Sequence, residues 1–156
     1  MALKAAVEGL PPPGVLQDIQ AAIDYATKAG TAGKVGIVGY CWGGLLTWRA
    51  ACQLSGVSAA VPYYGGGMTS AAEIARTPQC PVLAHFARQD QSIPLAGVEA
   101  FKVAHADVDV HLYPASHGFN CDHRSAYDSA ALALALERTL AFFATHLGQP
   151  ALAVLR

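Results

Sequence analysis

The sequence has few charged residues and no excess of either sign. Only 13% of its 156 residues are charged, and the formal net charge is −1, which argues against nucleic acid or an anionic membrane as the main partner. No apolar run reaches the roughly 18 residues that a membrane span requires, and no long apolar signal segment follows Met1. We therefore expect a protein with no nucleic-acid or membrane partner and a cytoplasmic location.

Cysteine is scarce too, and it is not arranged in pairs. The four cysteines lie far apart, at Cys41, Cys52, Cys80 and Cys121. Without an export signal, this spacing predicts reduced thiols rather than a disulfide framework. Further ligand-type residues lie within 117–123, but they share one short loop without spaced partners elsewhere, so we predict no metal site. Repeats, low-complexity linkers and internal domain boundaries are absent, which predicts a single domain over residues 1–156.

Hydrophobic patterning predicts strands and helices in alternation. The predicted helices span 15–29, 44–54, 70–75, 95–105 and 124–146, and the predicted strands span 34–40, 57–64, 81–87 and 108–113. The prolines at 11–13 are expected to exclude a helix there. The strands are continuous apolar runs, which is typical of a parallel sheet covered by helices on both faces. Functional groups in such a sheet gather at the carboxyl ends of the strands.

One stretch combines a short apolar strand, a glycine-rich turn and the start of a helix. Its G-x-C-x-G-G pattern places Cys41 at the corner, between Gly39 and Gly43. A sharp strand-to-helix turn needs glycine two residues before and two residues after the nucleophile, where a Cβ would collide. Backbone N–H groups at the helix N-terminus favour a thiolate. The alternative is a buried structural cysteine in a glycine-rich turn.

A thiol nucleophile needs a base and a third group that orients the base. His117 is predicted as the base, because it lies four residues beyond the strand end at Tyr113 in a loop flanked by proline and glycine. Asp90 is predicted as the orienting acid, at the end of the preceding strand. Nucleophile, acid and histidine follow one another as in an α/β-hydrolase. The alternatives are a loop histidine without a role and a capping carboxylate.

Neighbouring residues complete the predicted site. The backbone N–H of Trp42 is expected to bind an oxyanion. Tyr63, Tyr64 and Phe119 are candidates to line the substrate pocket, although core packing is an equally good interpretation for each aromatic side chain.

Taken together, these motifs resemble the dienelactone hydrolase family, whose members are carboxymethylenebutenolidase-like enzymes. The resemblance covers about residues 18–143 and rests on the segments 39–44, 63–65, Asp90 and 113–119. It implies an α/β-hydrolase fold and a Cys–His–Asp triad that hydrolyses a small-molecule lactone or ester without a cofactor. It also implies an arginine after the histidine that binds the substrate carboxylate, and Arg124 is the nearest match.

The chain departs from the family at its N-terminal side. Family members resemble it only after an N-terminal portion of several strands, so we expect the C-terminal portion of the fold, from a shortened chain. One sheet edge and part of both apolar faces would then be uncovered, which fits a hydrophobic content of 53%.

Three functions stay open on these grounds. The first is a lactone or ester hydrolase. The second is a catalytically impaired fragment or interaction protein that pairs its uncovered sheet edge with a partner or with itself. The third is a redox or persulfide-carrying thiol protein. The absence of a C-x-x-C pair argues against this third function.

Overall fold

The computed structural model describes residues 12–29 and 33–148. Strands and helices alternate within them as predicted. The strands are β1 (Val35–Tyr40), β2 (Val57–Tyr63), β3 (Leu83–Ala87) and β4 (Asp109–Tyr113). The helices are α1 (Pro12–Ala29), α2 (Trp42–Gln53), α3 (Ala71–Ile74), α4 (Leu95–Ala104) and α5 (Ser129–Leu147). The four strands form one parallel sheet in the order β1-β2-β3-β4.

Helices cover both faces of the sheet, and two glycines of β1 show which helix covers which face. A Cβ on Gly36 would meet Phe143 and Leu147 of α5, whereas a Cβ on Gly39 would meet Gly43 and Thr47 of α2. Because alternate residues of a strand point to opposite faces, α5 and α2 lie on opposite sides. The prediction of a parallel sheet between two helical layers is confirmed.

One group of large buried side chains lies between the sheet and helices α2 and α4. The ring of Trp48 from α2 packs 4.9 Å from that of Phe101 from α4, and Phe101 lies 6.0 Å from Phe86 of β3. All three side chains are buried. Phe86 lies one residue before the end of β3, so this core packs beside the strand end that precedes Asp90.

Two predicted helix boundaries were wrong. α1 begins at Pro12, because proline is tolerated in the first turn of a helix, where its missing N–H would have no partner; Pro11 lies outside the described residues. α5 begins at Ser129 instead of Arg124, because residues 121–127 form successive turns and Asp128 caps the helix, its carboxylate accepting from the Ala131 N–H at 2.9 Å.

By length and composition, α5 is the one helix in the described ranges that could cross a membrane, with 19 residues and a window of mean hydropathy 1.3. Its apolar residues are interrupted by Glu137 and Arg138, and its Ala135 and Thr139 pack on the sheet. The helix of a soluble protein passes the same test, so this is weak evidence for a span.

Candidate active site

Cys41 occupies the corner between β1 and α2 with a backbone conformation that few L-residues adopt. Its φ is 57° and its ψ is −119°. The Cys41 N–H donates to the Tyr63 carbonyl at 3.0 Å, and the N–H groups of Gly44 and Leu45 donate to the Cys41 carbonyl. Strained backbone of this kind persists only where neighbouring contacts hold it, and it is concentrated at functional sites. Cys41 is therefore a nucleophile candidate held on a tight turn.

The glycine requirement of this turn differs in one position from the sequence prediction. A Cβ on Gly39 would overlap the Gly43 carbonyl, and a Cβ on Gly44 would lie 2.6 Å from the Tyr63 carbonyl oxygen. Gly43 itself has open space where a Cβ would stand. The prediction that Gly43 needs to be glycine was wrong: the α2 backbone approaches β1 at Gly39 and the β2 end at Gly44.

Three predicted residues converge in a hydrogen-bonded line. His117 Nδ1 lies 2.6 Å from Asp90 Oδ2, and His117 Nε2 lies 3.1 Å from Cys41 Sγ. The hydrogen bond to Asp90 raises the pKa of His117, and burial opposes this shift. With Nδ1–H donating to the carboxylate, Nε2 faces the thiol as an acceptor. The arrangement can remove the proton from Cys41 and hold it.

Backbone hydrogen bonds hold Asp90 in place next to His117. Its side chain is buried, and its Oδ1 accepts from the backbone N–H groups of Ser92 at 2.8 Å and Ile93 at 3.1 Å. One carboxylate oxygen of Asp90 therefore accepts from the loop backbone, and the other lies against His117. The two backbone donors were not predicted, although an Asp at the start of a loop is a common signal for such a turn.

The aromatic residues predicted around the site are mostly buried. Phe119 is 0% exposed and Tyr64 is 3% exposed, and Tyr63 is also buried. Phe119 packs 5.2 Å from the rings of both Tyr64 and Tyr113. Core packing, one of the two interpretations given for these side chains, describes them; the substrate-lining role is not available to a side chain as enclosed as that of Phe119.

Two further predicted residues lie next to the triad. α2 begins at Trp42, so the Trp42 backbone N–H is one of the helix-end donors without a partner inside the helix. Arg124 is exposed and lies over the loop that carries His117, because its Cδ is 3.5 Å from the position of a Cβ on Gly118. Trp42 directly follows Cys41, and Arg124 lies beside Gly118, the residue after His117. No cluster of three His, Cys, Asp or Glu side chains able to hold a metal occurs in the described part of the chain.

A buried polar network beneath the site was not anticipated. Arg138 Nη1 donates to the Tyr113 hydroxyl at 3.1 Å, and that hydroxyl lies 2.8 Å from His85 Nδ1. His85 Nε2 lies 3.0 Å from Thr139 Oγ1, which is 2.7 Å from the Tyr63 hydroxyl. Since Arg138 can only donate, Tyr113 O–H donates to Nδ1 and His85 carries its proton on Nε2. Burial lowers the pKa of His85 to about 3, so the ring stays neutral. The network connects α5 to β2, β3 and β4.

Comparison with known proteins identifies the family of this chain. The model of the dienelactone hydrolase family matches residues 4–147. The chain is 35% identical over 161 residues to a Salmonella typhi protein named "Putative carboxymethylenebutenolidase", covering 94% of this chain and 60% of that protein. It is 38% identical over 135 residues to the carboxymethylenebutenolidase of Pseudomonas putida, covering 81% of this chain and 56% of that enzyme.

A solved structure agrees with these relatives. The crystal structure described as "Putative Dienelactone Hydrolase" from Klebsiella pneumoniae superposes with a TM-score of 0.76 at 32% identity, covering 88% of this chain and 63% of that one. The chain thus spans about 60% of the length of the curated relatives that it matches. The fold is that of an α/β-hydrolase, and the chain belongs to the dienelactone hydrolase family.

Proposed function

We propose that this protein is a dienelactone hydrolase-like carboxylic ester hydrolase that cleaves a lactone or ester bond with a Cys41–His117–Asp90 triad. The observation that supports it most directly is the unbroken line from Asp90 Oδ2 through the His117 ring to Cys41 Sγ, with steps of 2.6 and 3.1 Å. Nucleophile, base and orienting acid at hydrogen-bond distance are the geometric signature of covalent catalysis. Membership of the family supports the same reaction.

The reaction follows from the protonation states of the triad. His117 Nε2 takes the proton of the Cys41 thiol, and the sulfur attacks the carbonyl carbon to form a tetrahedral intermediate. The Trp42 N–H at the N-terminus of α2 donates to the oxyanion. The intermediate collapses to a thioester as His117 gives its proton to the leaving alkoxide. Water, deprotonated by His117, then hydrolyses the thioester to the carboxylic acid and restores the thiol.

The buried Asp90 carboxylate has two consequences for this cycle. It keeps the proton of neutral His117 on Nδ1, so that Nε2 is free to accept from Cys41. It also stabilises the imidazolium that forms after proton transfer, which agrees with the raised pKa of His117.

The substrate class follows from the relatives and from one cation. The names of the relatives denote a lactone that carries a carboxylate. Arg124, which lies over Gly118 in the loop of His117, offers a guanidinium for such a carboxylate. We therefore propose a small lactone or ester with an acidic substituent as the substrate.

An aryl ester hydrolysis assay tests the triad. We expect Cys41→Ala and His117→Ala each to lower the rate of hydrolysis by about 10²-fold or more. Asp90→Asn should retain measurable activity, because the loss of an orienting group usually lowers the rate less than the loss of a group that reacts. Cys52→Ala and His123→Ala are matched controls, since Cys52 is buried away from the triad and the His123 side chain is 92% exposed. A His117→Ala variant that keeps most of the activity would refute the triad.

A second candidate is an impaired chain that acts by pairing its sheet edge. It is favoured by one observation, that β1 is an edge strand which pairs with β2 alone among the described residues. The same assay separates the two candidates. A wild-type rate equal to that of Cys41→Ala would favour the pairing function.

A further inference from the structure

Tyr64 joins the end of β2 to the loop that carries His117. It is one of two non-glycine residues with positive φ in the described part of the chain, at 35°, and the other is Cys41. The Tyr64 N–H donates to the His85 carbonyl at 2.7 Å, and the carbonyl of its neighbour Tyr63 accepts from the Cys41 N–H. The backbone that holds the nucleophile in place is therefore continuous with the backbone that presents the Tyr64 ring.

The ring contacts the histidine loop at more than one point. Its centroid lies 5.1 Å from the His117 ring with an interplanar angle of 59°, and 5.2 Å from the Phe119 ring at 72°. Burial raises the pKa of the Tyr64 hydroxyl. Tyr64 thus bridges from β2 to residues 117–119. With 3% of its surface exposed, it has almost no area left for a substrate.

One hydrogen bond does not fix the orientation of an imidazole. The Asp90 contact holds the Nδ1 atom of His117, but the ring can still tilt about that point and carry Nε2 away from the sulfur. A packed aromatic neighbour removes this freedom and excludes water from the ring face. In the described structure, Tyr64 is the aromatic residue whose ring packs against His117.

We propose that Tyr64 is a positioning residue that acts through His117, holding the imidazole with Nε2 directed at Cys41. The inference rests on the proposed triad and assigns Tyr64 a role other than the substrate contact expected from the sequence. The strained backbone at residue 64 and the contact of its ring with His117 occur at the same position, and strain of this kind is concentrated at functional sites.

The test uses the alkylation of Cys41 by iodoacetamide at pH 7, followed by peptide mass spectrometry, because this rate reports the Cys41–His117 pair without any substrate. We expect Tyr64→Leu, which removes the ring, to lower the rate by about tenfold toward that of His117→Ala. Tyr64→Phe keeps the ring and should stay within about twofold of wild type. In a His117→Ala background, Tyr64→Leu should have no further effect, because it acts through that histidine.

Phe101→Leu is the matched control, since Phe101 is an equally buried aromatic residue on α4 without contact to the site. It should leave the alkylation rate unchanged. A wild-type rate in Tyr64→Leu, or an equal loss with and without His117, would overturn the proposal. So would the absence of nuclear Overhauser contacts between the Tyr64 and His117 rings in the wild-type protein, a measurement that does not depend on the folding of any variant.

The proposed function fails in a distinguishable way. If His117→Ala alkylates as fast as wild type, the Cys41–His117 pair does not exist, and both proposals fall. If His117→Ala is slow and Tyr64→Leu is not, the triad stands and only the role of Tyr64 is refuted.

Discussion

Cys41 differs from two other cysteines in what surrounds the sulfur. Burial raises the pKa of Cys52 to about 12 and that of Cys80 to about 11, so both are almost entirely protonated at neutral pH. Cys41 is partly exposed and has His117 Nε2 3.1 Å away. A thiol is reactive when a nearby group takes its proton and reagent can reach it. Of these three thiols, we therefore expect Cys41 to be the reactive one.

Competitive labelling measures that difference. In the folded protein at pH 7, iodoacetamide should modify Cys41 at least about ten times faster than Cys52 or Cys80. Labelling in concentrated urea is the control, since all three cysteines should react at similar rates once unfolded. Equal rates in the folded protein would show that the turn and His117 do not activate the thiol.

His85 makes the stability of the fold depend on pH. The pKa of its ring is about 3 in the folded protein and near 6.5 when unfolded. Between pH 6.5 and pH 3, His85 binds a proton in the unfolded chain but not in the folded one. The free energy of unfolding therefore falls by about 1.4 kcal/mol per pH unit as the pH falls from 6.5 toward 3. Urea unfolding at pH 7, 5 and 4 should show a smaller acid loss for His85→Gln than for wild type. His123→Gln, at an exposed site, should keep the wild-type slope; an unchanged slope in His85→Gln would contradict the assignment.

The sequence was sufficient to predict each strand, the parallel sheet and the proximity of Cys41, Asp90 and His117, because strand ends and a glycine-rich turn are local features. Contacts between elements could not be predicted in the same way. Which glycine the turn requires depends on where the α2 backbone meets β2, so Gly44 was missed and Gly43 was chosen instead. The hydrogen bond from His85 to Thr139 joins residues 54 positions apart, so no local sequence pattern predicts it. The sequence left Tyr64 between substrate contact and core packing, because neither its positive φ nor its contact with His117 is visible in a local pattern.

Two glycine substitutions test the geometry of the turn. Gly39→Ala should destabilise the protein by about 3 kcal/mol, because its Cβ would overlap the Gly43 carbonyl at the crossing of β1 and α2. Gly43→Ala is the matched control: it places a methyl group in open space on a helix and should change stability by no more than about 1 kcal/mol. Denaturant midpoints of the two variants give the comparison. Equal losses would show that the tight approach is not at Gly39.

In the described part of the chain, one side of the sheet is incompletely covered. There β1 is an edge strand, and its Val38 and Tyr40 are 43% and 44% exposed on the face that carries α5. Gly36 on the same face lies against Phe143 and Leu147 of α5. Leu140 and Leu136 lie one and two turns before Phe143 on the same stripe of that helix. Leu136 and Leu140 are exposed as well. An unpaired strand edge beside a continuous apolar surface is a template for association.

We propose that this surface pairs with a second copy of the chain, since an edge strand is self-complementary across a twofold axis. Burying apolar surface contributes about 25 cal/mol per Å², and a stable contact usually buries about 800 Å² per copy. Size-exclusion chromatography with light scattering at micromolar concentration should find a dimer or larger species. Val38→Lys places a charge on the edge and should shift the protein toward the monomer, whereas Val103→Lys, at an 84% exposed valine on α4 across the sheet, should not. A wild-type monomer would show that the chain encloses this surface by itself.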